Sequence, residues 1–358
     1  MSDLAFHALR VVSVQAVADD AVALTFAVPP ESAEAFRFQA GQHLTLRATV
    51  DGRELRRSYS ICSAPGAAPR VGVRLVAGGV FSTWLHRHLQ AGDQIDAMAP
   101  LGRFGAALAT RPHHVLAVAG GSGITPILAI LQAALAADVH TRCTLLYGNR
   151  SAASTMFKDT LDDLKNRHLA RLAVHAVYSR EEVDAPWQSG RIGADQVATL
   201  LRLAGPVDAA FVCGPHAMNE AVDAALQAAG VPADRIHIER FGLPPAVAAA
   251  AAVQPTAAAA DADAAVSRIR IVRDGLAREI DFLPGDGSVL AAAARAGLEM
   301  PYSCQSGVCA TCRARVQAGR LSMDRNFALS ADEVAAGFVL TCQARPLTDR
   351  VTLSFDQR

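Results

Sequence analysis

The chain has 358 residues, of which 34 are basic and 34 acidic, and 51% are hydrophobic. This length predicts two or three domains, each large enough to bury its own core. The balanced charge gives no electrostatic reason to expect binding to nucleic acid or to a membrane surface. The start of the chain has no basic segment followed by an apolar run, and no stretch is apolar for long enough to cross a bilayer. We therefore expect a folded, cytoplasmic protein that binds neither nucleic acid nor membranes.

The first part of the chain contains short runs that favour β-strands. Residues 43–47 and 71–76 are two such runs, and segments with glycine and proline separate them. Short strands bounded by turn residues are typical of all-β architectures. Residues 1–110 are therefore predicted to form an antiparallel β-barrel.

After residue 110 the pattern changes to strands that alternate with helices. An apolar strand at 115–118 precedes an apolar helix at 127–135, and further strands are predicted at 143–147, 172–178 and 209–213. Such alternation favours a parallel, doubly wound sheet. Residues 111–242 are therefore predicted to form an α/β domain.

A glycine-rich turn that contains Gly120, Gly121, Gly123 and Thr125 joins the first strand and helix of this α/β domain. Glycines allow the backbone to approach a phosphate closely, and a helix N-terminus offers unpaired N–H groups and a favourable dipole. The segment is not a strict G-x-G-x-x-G, so a tight turn without a ligand is the alternative. The turn is a candidate site for the phosphates of a dinucleotide.

Two polar segments of the predicted barrel have the chemistry to hold a flavin. In the first, Arg57 can bind a pyrophosphate with both arms of its guanidinium, Tyr59 can stack on a ring, and Ser60 can bond to a ring nitrogen. The second leads from Gly79 to Ser82 and into a predicted helix, whose first amides can bind another phosphate. Taken singly, Arg57 is more typical of a solvated surface residue and Tyr59 of a core residue, so the interpretation depends on the combination.

The last part of the chain follows a segment rich in alanine and proline, residues 243–266, which is predicted to be a semi-flexible linker. Beyond it, apolar alternation on both sides of Asp274 and Gly275 indicates a β-hairpin. Ser288 then precedes a predicted short helix at 289–295. Together with the cysteine loop that follows, this hairpin and helix predict an α+β, ferredoxin-like (β-grasp) domain at residues 267–358.

The most specific signal is a set of four cysteines in this ferredoxin-like domain, Cys304, Cys309, Cys312 and Cys342. Their C-x4-C-x2-C spacing with a distant fourth cysteine is the plant-type pattern for a [2Fe–2S] cluster. Small residues between them, including Gly307, let the loop wrap tightly and turn backbone N–H groups towards sulfur. Zinc, which usually binds two close cysteine pairs, and structural thiols are the alternatives. The pattern favours a cluster and therefore the transfer of single electrons.

Together these segments resemble the flavin-dependent ferredoxin–NADP reductase superfamily over the whole chain except the linker. The R-x-Y-S flavin motif of that family corresponds to residues 57–60, and its G-x-x-S motif to residues 79–82. Its nicotinamide motifs correspond to residues 120–126 and 213–218. The resemblance implies an NAD(P)H-dependent oxidoreductase that carries FAD and one [2Fe–2S] cluster, although the residues alone leave FMN open.

The resemblance also implies roles for individual residues. Arg57 and Ser82 would hold the flavin phosphates, Tyr59 and Ser60 would contact its ring, and Cys213 would lie near the nicotinamide. The candidates for flavin binding are Arg57, Ser58, Tyr59, Ser60, Gly79, Ser82 and Phe241. The catalytic candidates are Ser60, Cys213 and Glu239.

The coenzyme is predicted to be NADPH rather than NADH. Arg150, and not an acidic residue, follows the second strand of the α/β domain, and an acidic residue there would favour the free ribose hydroxyls of NADH. Ser179 and Arg180 resemble the Ser-Arg pair that binds the 2′-phosphate in plant-type members of the family. The alternative is that both arginines are ordinary surface residues.

Segments outside the cofactor motifs, at 147–150, 156–158, 326–329 and 337–343, resemble the reductases of phenylacetyl-CoA epoxidase complexes. This implies electron transfer to the oxygenase subunits of a multicomponent di-iron monooxygenase that epoxidises the ring of phenylacetyl-CoA. The alternatives are the reductase of a Rieske-type or steroid-ring hydroxylase and a non-catalytic redox sensor. One departure from the family is Ala310, where many relatives have glycine, and its methyl group is expected to tune the cluster.

Overall fold

The computed structural model describes residues 5–183, 185–242 and 266–357. The chain divides into two compact units, one comprising Ala5–Phe241 and the other containing the described residues from Gly242 onwards. The predicted linker at 243–266 lies outside the described residues, apart from Val266. Among the described residues, no helix combines the length and the apolar character needed to cross a membrane.

The first half of the Ala5–Phe241 unit is an antiparallel barrel, as predicted. Its six described strands follow the order β4-β3-β6-β1-β2-β5, and a bridge between Ile61 and Val71 links the two edges of the sheet. Alternate side chains such as Leu44 and Leu46 point into the barrel and are fully buried. The elements are β1 (Phe6–Ala18), β2 (Ala21–Ala27), β3 (His43–Val50), β4 (Arg53–Ser60), β5 (Arg70–Arg74), α1 (Val80–His88) and β6 (Gln94–Met98).

The second half of this unit is the predicted parallel α/β domain. Its strands are β7 (His114–Gly120), β8 (Arg142–Asn149), β9 (Leu172–Tyr178), β10 (Ala209–Cys213) and β11 (Ile236–Glu239). Its helices are α2 (Ile124–Ala137), α3 (Lys158–Arg167), α4 (Ala194–Ala204) and α5 (His216–Ala228). The strands follow the order β11-β10-β7-β8-β9, with α2 and α3 packed on one face and α4 and α5 on the other.

Two local features of the α/β domain follow from its sequence. Every residue of β7 is buried, as expected for the central strand of a sheet that is covered on both faces. Helix α2 begins at Ile124, three residues before the predicted start, because a proline in the first turn of a helix loses no hydrogen bond. Short 3-10 helices of the described chain are Pro30–Ser32, Ala106–Thr110, Gly121–Gly123, Pro186–Gln188 and Ala233–Arg235.

The strand order determines where this domain can bind a ligand. The connection from β7 leads to β8 on one side, whereas β10 pairs with β7 on the other side. The loops after β7 and β10 therefore diverge and leave a crevice at the carboxyl ends of these strands. Open α/β sheets bind ligands at such a switch point.

The second unit has the predicted α+β fold. Its main sheet has the order β13-β12-β18-β14-β16, in which β12 and β18 are parallel, and β15 and β17 form a separate ribbon. Positive φ angles of 55° at Asp274 and 73° at Gly275 form the predicted hairpin turn. The Ser288 hydroxyl accepts a hydrogen bond from the Ala291 N–H and caps the predicted helix. The elements are β12 (Ser267–Arg273), β13 (Leu276–Phe282), α6 (Val289–Arg295), β14 (Arg313–Ala318), β15 (Leu321–Met323), α7 (Ala331–Ala335), β16 (Phe338–Leu340), β17 (Ala344–Pro346) and β18 (Arg350–Ser354).

Candidate functional site

The cysteine loop wraps as its composition predicts. Gly307 has a φ of +82°, and the backbone N–H groups of Cys304 and Ser306 point at sulfur, 3.5 Å from Cys309 Sγ and 3.4 Å from Cys304 Sγ. Donors aimed at thiolates stabilise the negative charge that an iron–sulfur cluster places there. The loop therefore fits the predicted cluster.

The four thiols influence one another's titration in two pairs, because Cys309 is the main cause of the lowered pKa of Cys304 and Cys312 is the main cause of the lowered pKa of Cys342. Cys309, together with Ser306, lowers the pKa of Cys304 to about 5, and Cys304 raises the pKa of Cys309. Among the described residues, no set of three or more His, Cys, Asp or Glu side chains is arranged around one metal ion. Four cysteines can hold the two irons of a [2Fe–2S] cluster, with two cysteines on each iron.

Ala310 adopts a left-handed backbone conformation with a φ of +53°. Glycine adopts this conformation freely, whereas a residue with a Cβ is strained there by roughly 1–2 kcal/mol. The backbone therefore explains why glycine is common at this position of the loop. The strain of Ala310 is local, and the sulfur-directed N–H groups of the loop are retained.

The switch-point crevice of the α/β domain depends on close contact between two backbone turns. A Cβ at Gly123 would lie 2.0 Å from the Cys213 carbonyl oxygen, and a Cβ at Gly120 would lie 2.7 Å from Pro215 Cδ. Only glycine fits at either position. The contact brings the first turn of α2 and the end of β10 to the same crevice, where unpaired N–H groups can face a phosphate.

The three catalytic candidates lie together at this crevice. Cys213 and Glu239 are partners in the parallel pairing of β10 with β11, and the Ser60 hydroxyl donates a 3.1 Å hydrogen bond to Glu239 Oε2. Burial raises the pKa of Glu239 to about 7, and the bond from Ser60 acts in the opposite direction. Burial and the Glu239 charge both raise the pKa of Cys213, so its thiol remains protonated. The arrangement joins the barrel to the α/β domain through a carboxyl group that titrates near neutrality.

The two barrel segments predicted to hold a flavin are brought together by a ring contact, while their arginine remains exposed. Arg57 is exposed, and one of its Nη atoms donates to the Arg56 carbonyl at 2.7 Å. Tyr59 stacks on Phe81, with ring centroids 6.3 Å apart and an interplanar angle of 21°. Strand β4 and the first turn of α1 therefore lie side by side, which brings the R-x-Y-S and G-x-x-S segments together.

Two serines of these barrel segments are already bonded within the protein. The Ser58 hydroxyl lies 3.2 Å from Thr45 Oγ1. The Ser82 hydroxyl accepts from the Val76 N–H at 3.2 Å and donates to the Gly79 carbonyl at 3.3 Å. Ser82 therefore holds the turn before α1, and the backbone amides of the first helical turn are the groups of this segment left for the predicted phosphate contact.

The predicted 2′-phosphate residues meet at the carboxyl ends of β8 and β9. The backbone N–H groups of Ser179 and Arg180 donate to the carbonyls of Asn149 and Arg150 at 3.0 and 2.9 Å. The Arg180 side chain is exposed, whereas the Arg150 guanidinium is paired with Asp20 of the barrel at 2.5 Å. Phe241, the last residue of this unit, has 45% of its surface exposed.

Sequence reasoning missed two side chains that lie against the glycine-rich turn. The fully buried Tyr147 donates its hydroxyl to the Gly121 carbonyl at 3.0 Å. Arg74 extends from the barrel so that one Nη atom lies 3.0 Å from where a Cβ of Gly121 would be. No local pattern distinguishes either residue, because β-strands commonly contain tyrosines and arginines whose partners lie far away in the chain.

The raised pKa of Glu239 predicts a pH-dependent loss of stability. Between its ordinary pKa of 4.5 and about 7, the carboxyl ionises in the unfolded chain but stays protonated in the folded one. The free energy of unfolding of the wild type should therefore fall, relative to Glu239→Gln, as the pH rises through this window. Urea unfolding followed by tryptophan fluorescence tests this, because Trp84 and Trp187, the chain's two tryptophans, both lie in the Ala5–Phe241 unit. Parallel pH profiles for the two proteins would contradict the prediction, and Glu182→Gln at an exposed position is the control.

Models of three protein-domain families match successive parts of the chain. An oxidoreductase FAD-binding domain matches residues 8–105, an oxidoreductase NAD-binding domain matches residues 117–224, and a 2Fe-2S iron-sulfur cluster binding domain matches residues 271–347. The matched ranges contain the polar segments of the barrel, the glycine-rich turn and all four paired cysteines.

Related proteins share this layout. The chain is 42% identical to a component of the 1,2-phenylacetyl-CoA epoxidase of Escherichia coli, over 99% of this chain and 98% of that protein. It is 34% identical to the ferredoxin reductase component of 3-ketosteroid-9-alpha-monooxygenase of Mycobacterium tuberculosis, over 98% of this chain and 96% of that protein. The solved structure of phthalate dioxygenase reductase has the same fold, with a TM-score of 0.59, 23% identity and coverage of 98% of both chains. The chain therefore belongs to the family of reductase components of multicomponent oxygenases, and it is an oxidoreductase that transfers electrons from NAD(P)H through FAD and a [2Fe–2S] cluster.

Proposed function

We propose that the partner of this reductase is a di-iron oxygenase that epoxidises the ring of phenylacetyl-CoA, and that the electrons come from NADPH. The observation that carries this proposal is the 42% identity to the Escherichia coli epoxidase component, against 34% for the ketosteroid reductase, over nearly the same length. Both alignments cover nearly the whole of this chain, so the difference in identity is not caused by a difference in alignment length. A cytoplasmic location, where NADPH is available and thiols are kept reduced, suits this role.

The flavin would lie where the barrel meets the α/β domain. Arg57 and the first amides of α1 offer positive charge and donors for its phosphates. Ser60 and Glu239 would lie at its ring, with Ser60 Oγ holding the carboxyl in place. A carboxyl with a pKa of about 7 can give or take a proton there at neutral pH. Bound flavin supplies the step between a two-electron donor and a one-electron acceptor, and the protein holds and tunes it.

The nicotinamide coenzyme would lie across the switch-point crevice. The glycine-rich turn would face its pyrophosphate, and Cys213 would lie against its ring. Because the Cys213 thiol is fully buried and stays protonated, it would place neither a charge nor a nucleophile beside the ring. Arg180, with Arg150 and Ser179 beside it, would bind the 2′-phosphate that distinguishes NADPH.

The cysteine loop would hold the cluster, which passes electrons to the partner. Cys304 and Cys309 would bind one iron, and Cys312 and Cys342 the other, since these are the thiols that the fold pairs. Gln343 supports the second pair, because its side-chain nitrogen donates to Cys342 Sγ at 3.5 Å and to the Gln305 carbonyl at 3.0 Å. Hydrogen bonds to the ligating sulfurs help to set the reduction potential of a cluster.

Replacing Cys309 by serine should separate the two halves of the electron path. We expect the reduced-state paramagnetic resonance signal of the cluster to disappear while the flavin absorbance remains, because the cysteines and the flavin segments belong to different units. Reduction of ferricyanide by NADPH should persist, and reduction of the oxygenase should stop. Val308→Ala in the same loop is the matched control, and a Cys309→Ser protein that still drives the oxygenase at the normal rate would contradict the assignment.

Replacing Arg180 by alanine should weaken the use of NADPH specifically. A charge-assisted contact with a phosphate contributes roughly 1.5–3 kcal/mol, which corresponds to at least a tenfold change. We expect kcat/KM for NADPH to fall by about that factor while kcat/KM for NADH is unchanged. Ferricyanide reduction measures both, with the exposed Arg167→Ala on α3 as the control. Equal losses with the two coenzymes would refute the role of Arg180.

Reconstitution with purified oxygenases tests the proposed partner. With the phenylacetyl-CoA oxygenase we expect NADPH oxidation that depends on substrate, consumes oxygen and yields the epoxide, and we expect none of this with the Cys309→Ser variant. A 3-ketosteroid-9-alpha-monooxygenase serves as the second arm, because the relative with 34% identity is the ferredoxin reductase component of that enzyme. If coupled turnover occurs only with the steroid enzyme, the proposed partner is wrong and a steroid oxygenase takes its place. Flavin reduction by NADPH without turnover in either arm would mean that the partner lies elsewhere.

A further inference from the structure

A carboxylate of the barrel, that of Asp20, lies between Arg150 of the predicted 2′-phosphate site and Arg74 of the barrel itself. Asp20 is in the turn between β1 and β2, and its Oδ2 lies 2.5 Å from Nη2 of Arg150 in the α/β domain. Its Oδ1 lies 3.2 Å from Nε of Arg74 in β5. The Asp20 and Arg74 side chains are 26% and 19% exposed, so neither pair is a fully solvated surface contact.

The position of Asp20 is fixed by contacts between the two domains. The Asp19 N–H donates to the Ala153 carbonyl at 3.3 Å, and the Phe157 N–H donates to the Val17 carbonyl at 3.1 Å. The β1–β2 turn is therefore bonded to the loop that follows β8 and begins with Arg150. The Arg74 Nη2 group donates a hydrogen bond to the Ser154 carbonyl in the same loop. The backbone thus places the Asp20 carboxylate beside Arg150.

This arrangement changes what Arg150 can contribute to coenzyme binding. Its guanidinium already has an anionic partner, so a 2′-phosphate must share or displace the Asp20 carboxylate. The carboxylate also repels the dianionic phosphate directly, and a half-buried site screens that repulsion less than bulk water does. NADH has no 2′-phosphate and does not meet this opposition.

We propose that Asp20 is a coenzyme-specificity residue, which neutralises Arg150 and thereby reduces the preference for NADPH over NADH. The inference rests on the proposed 2′-phosphate site at Arg150 and Arg180. In this arrangement the Arg180 charge is available for the phosphate, whereas the Arg150 charge is neutralised by Asp20 of the barrel. The specificity of the α/β domain is then set in part by a residue of the flavin domain.

The test compares Asp20→Asn with the wild type in ferricyanide reduction, which needs no oxygenase. We expect the ratio of kcat/KM for NADPH to that for NADH to rise about fivefold, the factor that corresponds to ~1 kcal/mol for one ion pair. Because both coenzymes carry the same pyrophosphate, any effect that Asp20 has through Arg74 on the glycine-rich turn cancels in this ratio. Asp20→Glu, which restores the charge, should return the ratio towards the wild-type value. Asp19→Asn at the exposed neighbouring position should leave it unchanged.

An unchanged or lowered ratio in Asp20→Asn would overturn the inference, provided that flavin absorbance shows the variant to be folded. If Asp20→Asn does not fold, the NADPH-to-NADH ratio is measured in Asp20→Glu at several ionic strengths. A ratio that does not change as salt screens the pair of Asp20 with Arg150 overturns the inference. Arg150→Ala separates this inference from the proposed function. A lowered ratio in Arg150→Ala with no effect of Asp20→Asn would reject Asp20 alone. No effect of either Arg150→Ala or Arg180→Ala would reject the 2′-phosphate site and the inference with it.

Discussion

The site of the Ala5–Phe241 unit depends on one backbone contact, where the glycine-rich turn after β7 meets the end of β10. The missing side chain of Gly123 leaves room for the Cys213 carbonyl, and that of Gly120 leaves room for Pro215 and Met218. Any larger residue would force the two turns apart, because the obstructing atoms at Gly123 are backbone and cannot rotate away. The first turn of α2, the buried Cys213 thiol and the carboxyl of Glu239 lie close together because this contact is so close.

The barrel completes that crevice through a few specific contacts rather than through a large polar surface. Gly72 in β5 lies so close to α2 that a Cβ there would be 2.7 Å from the Thr125 methyl group. Gln132 of α2 donates to the Cys62 carbonyl of the barrel at 3.0 Å, and Ser60 reaches Glu239. Half-exposed ion pairs such as that of Asp20 with Arg150 contribute little to stability, so their value here lies in which groups they position and which charges they neutralise.

In the ferredoxin-like unit the main constraint is a different one: a short loop must wrap around a charged cluster. Three residues of this loop, Gln305, Gly307 and Ala310, have positive φ angles. Left-handed turns of this kind direct successive N–H groups inwards, which is what the sulfurs of a cluster require. Gln343, adjacent to the fourth cysteine, ties the distant end of the site to the loop through the Gln305 carbonyl.

The sequence alone determined the features that are local in the chain. The four cysteines, the glycine-rich turn, the Asp274–Gly275 hairpin and the Ser288 cap are each set by a few neighbouring residues, because φ preferences and ligand spacing act over short distances. The order of the three domains followed from the same local patterns. The tertiary structure decided the pairings between distant residues, such as Ser60 with Glu239, which are 179 positions apart, and Asp20 with Arg150, which are 130 apart. Arg150 has the residue type of a phosphate ligand, but only the packing of the barrel against the α/β domain shows that its charge is already matched. Local patterns cannot supply such information, because the partner of a charged side chain is set by which strand ends the fold brings together.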